Sequence, residues 1–226
     1  MTIKGSALIL IEFQREWLGD DGKIRHLMQD QEQFEFAIEW AKQALGAARQ
    51  HRMPVVHCGL RFQKGYPELG RGLHGLRAVI PRVGTFPADG TGSQFVEPFV
   101  PLGDEFVVQG RVGGSGFAGS NLDAYLRNQH IDTIYLAGFA LHVCVESTLR
   151  HGHDLGYNAV VLEDACAAFT PDQRKHVLED VIHHYGEHIT VDKFIGLFNG
   201  EEPSARRSSG TRPEAGEPLN LTLGTL

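Results

Sequence analysis

TIYLAGFALHVCVESTLRHGHDLGYNAVVLED, residues 133–164, contains an apolar run, a turn, an amphipathic stretch and a second apolar run. Neither TIYLAGF (133–139) nor NAVVLED (158–164) alternates cleanly between apolar and polar residues, which is the pattern of strands covered on both faces. Between them Val145, Leu149 and Leu155 supply the apolar positions of a helix that begins near Val143. A strand, a helix and a strand in so short a span make a βαβ unit, in which parallel strands are joined by a right-handed crossover. The same alternation continues outward through ALILI (7–11), PVVHCGL (54–60), EFVVQ (105–109) and HITV (188–191). Two further helical stripes stand out. In 35–49, Ala37, Trp40, Ala41, Ala44, Leu45 and Ala48 share a face; in 172–185, Val177, Leu178, Val181, Ile182 and Tyr185 do so. Thr170, Pro171 and Gln173 give the latter helix an N-cap, a first-turn proline and a capping-box partner. The expected fold is α/β, a three-layer α/β/α domain over 1–198 with a mostly parallel, doubly wound, six-stranded sheet of Rossmann-like type.

Two stretches depart from this rhythm. Residues 61–103 hold eight glycines and five prolines, so they read as a long loop with room for a short helix, and long ordered loops in compact domains are often functional. From Asn199 onward, NGEEPSARRSSGTRPEAGEP is too polar to offset its ordering entropy, and a mobile tail over 199–226 is expected. Its last residues, LNLTLGTL, offer an apolar segment able to dock on a neighbour. The chain has 226 residues, of which 42% are hydrophobic and 22% charged, and a formal charge of -7. That balance suits one ordinary globular domain and provides no general basic surface for nucleic acid. Three widely spaced cysteines form neither a disulfide framework nor a paired metal motif, and ALILI is too short for a signal peptide or a membrane span. A cytoplasmic protein that acts on a small molecule, with no nucleic-acid or membrane partner, is the expectation.

Chemistry is expected where strands end. Cys144 falls in the first turn of a helix that follows a parallel strand. Free backbone N–H groups and the positive end of the helix dipole there favour thiolate over thiol, and open α/β sheets bind ligands at their carboxyl edges. A buried, inert cysteine is the bland alternative, and it is the reading adopted for Cys58 and Cys166. Glu12 directly follows ALILI and Arg111 follows EFVVQG, so both lie at the same rim as Cys144. An acid, a cation and a thiol converging there suit nucleophilic catalysis, although a strand-end ion pair alone also explains Glu12 and Arg111.

ALILIEFQREWL resembles the opening of isochorismatase-like hydrolases and nicotinamidases, usually of the form ALLVIDMQNDF. The long stretch from VVQGRVGGSGFAGSNL through LHVCVESTLRHGHDLGY to DACAAF is similar to the family's longest shared segment, including the glycine six residues before Cys144. With GTGSQFVEPF (90–99), the resemblance is collinear over residues 6–195. It implies that Cys144 attacks a carbonyl, usually of an amide, that Glu12 is the general base, and that Arg111 stabilises the charged site. It also implies a cis peptide between Phe139 and Ala140 and an oxyanion hole formed by the N–H groups of Ala140 and Cys144.

Three positions depart from the family's pattern. Aspartate is usual where Glu12 stands, lysine where Arg111 stands, and the turn reads ALHVC where relatives often have ATNVC. Both charge signs survive, and a matched pair is expected in which the guanidinium holds the longer acid bidentately. The family's nicotinamidases carry an Asp and His metal cluster after the second strand. The corresponding HCGLRFQKGYPELGRGLHGL supplies His57 and His74 but no aspartate, so neither a metal, nor any other cofactor, nor nicotinamidase activity is expected. Phe13, Gln14, Trp17, Arg61, Phe117 and His142 are the candidates to line the substrate site. The implied activity is that of an amidohydrolase, cleaving a C–N bond of a small amide, ureide or lactam through a thioester on Cys144. A vinyl-ether hydrolase of the true isochorismatase type, working without the cysteine, and a noncatalytic binding protein remain as alternatives. Relatives are commonly homo-oligomers, so a dimer or tetramer is expected.

Overall fold

The computed structural model describes residues 3–200, so all of the expected tail beyond Gly200, with LNLTLGTL, lies outside the described residues. Six parallel strands form one sheet in the order β3-β2-β1-β4-β5-β6. They are β1 (Ser6–Ile11), β2 (Val55–Cys58), β3 (Phe106–Val107), β4 (Thr133–Phe139), β5 (Asn158–Ala167) and β6 (Glu187–Ile189). Every residue of β1, β2 and β4 is buried, as the missing alternation predicts. The edge strand β3 is shorter than EFVVQ suggested.

Successive β1 side chains alternate between two cores. Leu8 and Leu10 join Tyr135, Ala137 and Val160 beneath helices α2 (Gln31–Gln50) and α7 (Val191–Phe198). Ala7, Ile9 and Ile11 join Ile134, Leu136 and Val161 beneath α4 (Leu122–Asn128) and α5 (Glu146–Asp154). The α2 stripe is buried at Ala37, Ala41, Ala44, Leu45 and Ala48, while Trp40 is only half-buried at its margin. Helix α6 (Pro171–His176) starts as expected, with Thr170 and Gln173 forming a reciprocal capping box, and continues as wider and tighter turns to His184. Within the glycine-rich stretch, α3 (Leu76–Val83) is the short helix, and Gly84 ends it in the left-handed conformation at φ +72. Between Gln14 and Gly19 lies a single helical turn, α1 (Arg15–Leu18).

Strand order reverses at β1. The chain steps from β1 to β2 and β3 on one side, then returns to place β4, β5 and β6 on the other. At such a reversal the connections leave the carboxyl ends in opposite directions and open a crevice between them. Glu12 follows β1 and Ala140 follows β4, so these two neighbouring strands deliver their ends to that crevice. Close approach requires a glycine: Gly138 pairs with Ile11 at φ +132, where a side chain's first carbon would sit 2.1 Å from the Ile11 carbonyl oxygen.

Candidate active site

Glu12 adopts φ +62, a left-handed conformation unusual for a side chain of its kind, while its N–H donates to the Cys58 carbonyl at 3.1 Å. That backbone turns its carboxylate into the crevice rather than along the strand. One oxygen accepts a 2.6 Å bond from Arg111 Nη2 and the other a 2.9 Å bond from Trp17 Nε1. Arg111 is buried as well. Its Nε donates to Gly113 O at 3.1 Å, Nη1 to Cys58 O at 3.0 Å with Cys58 Sγ at 3.8 Å, and Nη2 also to Gly114 O at 2.7 Å. The expected bidentate fork is therefore corrected to a single contact. Three backbone carbonyls compete for the guanidinium, and the indole takes the second oxygen of the acid. Burial alone would favour a neutral guanidine, but the groups around it, of which Glu12 carries the negative charge, push its pKa up and keep it cationic.

Cys144 lies in the wide first turn Leu141–Val145, which runs directly into α5. The peptide bond between Phe139 and Ala140 is cis. Cys144 borders the same cavity as Glu12, with the Glu12–Arg111 pair close enough to act on its thiol, which completes the convergence of β1, the β3 rim and the β4 end. The expectation of a resting thiolate does not hold. Burial first, and then the Glu12 carboxylate, push the Cys144 pKa well above its ordinary value, and Arg111 offsets only part of this. The thiol rests protonated, with a carboxylate at hand to take the proton. Cys58 and Cys166 are fully buried thiols, likewise raised by burial; Cys58 sits in β2 and Cys166 in β5.

Thr148 fastens the machinery from behind. Its hydroxyl donates to Cys144 O at 2.7 Å and accepts from Gly116 N at 2.9 Å, which ties the turn that carries Cys144 to the GGSG loop whose carbonyls hold Arg111. Neither this residue nor Glu16 was singled out from sequence. Glu16, also buried, accepts from Lys23 N and Phe86 N and so pins the two loops over the crevice. A buried carboxylate three residues after Phe13 was the available signal, since such a group needs partners.

A cavity of about 130 Å³ opens against Glu12, Ala140 and Cys144. Of the expected lining residues only Trp17 borders it; Ile24, Leu27, Leu60, Ile80, Thr85, Phe86, Val143 and Phe169 supply the rest of its inner surface. Phe13 is instead fully buried, stacked on Phe99 with ring centroids 4.1 Å apart. Gln14 clamps Leu60 through both side-chain groups and donates to Ser93 O, so its polar atoms are spent on backbone. Phe117 packs on Tyr157 in the other core. Arg61 is exposed, donates to Ala88 O and borders a second, more polar hollow of about 360 Å³ that also touches Gln14 and Arg111. His142 meets Phe169 edge-on, and burial holds its pKa below the ordinary value. His57 and His74 are apart. His57 is buried against Glu105, whereas His74 lines a hollow with Arg77 and Ser147. Among the described residues no group of three His, Cys, Asp or Glu side chains is placed to hold a metal ion.

Residues 6–193 match the Isochorismatase domain family. The chain is 31% identical over 211 residues to the ureidoacrylate amidohydrolase RutB of Stutzerimonas stutzeri (strain A1501), a match covering 88% of this chain and 84% of that protein. With RutB of Cronobacter sakazakii (strain ATCC BAA-894) the identity is 33% over 208 residues, covering 87% and 89%. The crystal structure of a cysteine hydrolase from Pseudomonas syringae pv. phaseolicola 1448A superposes with a TM-score of 0.76 at 21% identity, covering 88% of this chain and 95% of that one, a likeness of fold.

Proposed function

The chain belongs to the isochorismatase family, and on that premise we propose that it is a cysteine hydrolase cleaving a C–N bond of a small amide, ureide or lactam through a thioester on Cys144. One observation carries this reading: Cys144 and Glu12 line one cavity at the sheet's reversal point, with Arg111 paired to Glu12 behind it and all three buried. Relatives named as amidohydrolases at about this level of identity support the reaction class.

The chemistry follows from the protonated resting thiol. As sulfur attacks the substrate carbonyl carbon, the thiol proton passes to Glu12, and the oxygen gains charge that the N–H groups of Ala140 and Cys144 receive. Collapse breaks the C–N bond, and Glu12 returns the proton to the departing nitrogen. Water then gives a proton to Glu12 and its hydroxide to the thioester carbonyl. When the C–S bond breaks, sulfur recovers that proton and the acid product leaves. Arg111 keeps the site's net charge near neutral while the proton moves. No step draws on a metal. The vinyl-ether alternative leaves the placement of Cys144 beside Glu12 on the cavity without a purpose.

The experiment is a screen of small amides with an ammonia readout, repeated on Cys144→Ala and Glu12→Gln. Glu12→Gln should lower kcat/KM by about 10²–10⁴-fold, the ordinary worth of a positioned base. Cys144→Ala should abolish turnover, and acid quenching of the native enzyme should reveal an acyl adduct on Cys144. Ammonia release that survives Cys144→Ala would overturn the proposal.

A further inference from the structure

Among the described residues, the cavity beside Cys144 is lined by no free cation. Glu12 and Cys144 are, among the described residues, its only titratable lining residues; Trp17, Phe86 and Phe169 with Leu60 and Ile80 make most of the inner walls, and Thr85 is the one neutral polar side chain there. Arg111, the cation behind Glu12, spends its donors on Glu12, three carbonyls and the Cys58 sulfur. Lys23 donates to Gly84 O, and Arg25 to Trp17 O, Leu18 O and Glu35. His142, inside the Leu141–Val145 turn, has its pKa lowered by burial and so adds no charge at neutral pH. A carboxylate entering this space would find no cation to neutralise it and would face the charge of Glu12, a costly combination at low dielectric.

The outer wall is apolar too. Helix α3 turns Leu76, Val79 and Val83 toward the cavity although each is 38–41% exposed. An apolar wall kept at the water's edge is unfavourable unless a ligand shares it. Size narrows the ligand further. A cavity of about 150 Å³ lined by Leu, Ile and Phe side chains stays dry and accepts benzene, and this one, at about 130 Å³, has similar chemistry.

We propose, on the cysteine-hydrolase reading above, that the substrate is an uncharged amide or ureide whose non-reacting part is a compact apolar group. A phenyl ring or a branched chain of four or five carbons suits the space bounded by Trp17, Phe86, Phe169 and α3. The site selects against carboxylate-bearing ureides, which sets it apart from what the name of its ureidoacrylate-cleaving relatives denotes.

The test compares isovaleramide and benzamide with acetamide and the carboxylated succinamate. Wild-type kcat/KM should favour the larger apolar amides over acetamide by at least the ~10–200-fold typical of one methylene in a fitted pocket. Succinamate should fall below acetamide. Val79→Arg, at a half-exposed wall position where the guanidinium can reach water, should depress isovaleramide turnover about 10-fold or more and raise that of succinamate. Binding is read separately, as protection of Cys144 from alkylation: benzamide should protect and succinamate should not. Succinamate turned over best by wild type, in a reaction that still requires Cys144, would overturn this proposal while leaving the hydrolase reading intact. Turnover independent of Cys144 would sink the hydrolase reading, and the protection pattern would still decide the pocket's preference. Equal protection by both ligands, or by neither, would overturn the selectivity.

Discussion

Glu12 and Arg111 stand where the family resemblance leads one to expect aspartate and lysine, and both charges are almost fully buried, at 1% and 3% exposure. A buried pair of this kind contributes little net stability, but removing one partner strands the other at a cost of about 3–5 kcal/mol. Glu12 spans two donors, Arg111 Nη2 and Trp17 Nε1. Aspartate, shorter by one C–C bond of about 1.5 Å, cannot reach both from the same backbone. Lysine at 111 would bring a point charge in place of a fork and leave the Cys58, Gly113 and Gly114 carbonyls under-satisfied. Glu12→Asp and Arg111→Lys should each lower kcat/KM, and the double variant should recover part of the loss, with a coupling of about 0.5–3 kcal/mol. A double-mutant cycle, with denaturation curves run alongside, measures it. Strict additivity would show that the two residues act independently.

Among the elements, the junction between the GGSG loop and α5 decides whether Cys144 and Arg111 keep their spacing. Thr148 is the only side chain that Gly116 N is seen to use among the described residues, and it also holds Cys144 O. Thr148→Val keeps the shape and deletes the hydroxyl, leaving a buried N–H unpaired at a cost of about 1–3 kcal/mol. The urea midpoint should fall with an unchanged m-value, and kcat should drop with it because Gly113 and Gly114 would no longer be held against Arg111. Thr148→Ser retains the hydroxyl and should restore kcat. A valine variant with native kcat would show that the loop is held by other contacts. The strand ends and the α6 capping box were legible because strand burial and helix capping are local patterns. The Thr148 tie was not, since it joins residues 32 positions apart through a loop without periodicity.

For the whole molecule, the sheet's β3 edge is closed by one carboxylate. Glu105 accepts from both arms of Arg49 on α2, from Leu102 N and from His57 on β2. Burial works against its charge, yet the Arg49, Leu102 and His57 bonds win and hold its pKa at about 2, below the ordinary 4.5. A depressed carboxyl pKa stabilises the fold fully above the unfolded value, and that stability is lost as pH falls from about 4.5 through 2. Thermal unfolding followed from pH 5 toward 2 should therefore drop more steeply for wild type than for Glu105→Gln, which starts less stable and lacks this acid-sensitive contribution. Parallel curves would place the acid sensitivity elsewhere.

What the sequence determined alone was whatever is written in local pattern. Six strand runs, the amphipathic stripes and the cap at Thr170 specify alternating layers, and the residue after a strand must stand at its rim. Glu12, Cys144 and Arg111 were thus recoverable, with their chemistry implied by resemblance. Tertiary structure decided what depends on neighbours distant in the chain. Burial and the carboxylate of Glu12 make Cys144 a resting thiol, because a charge's cost depends on the dielectric and the groups around it. The lining of the cavity was decided in the same way. Phe13 and Phe117 face cores on opposite sides of the sheet, while Phe86 and Phe169, from a glycine-rich loop and a strand end, meet Trp17 at the nucleophile. Side-chain period tells that a residue is buried, but only the packed chain tells which surface it is buried against.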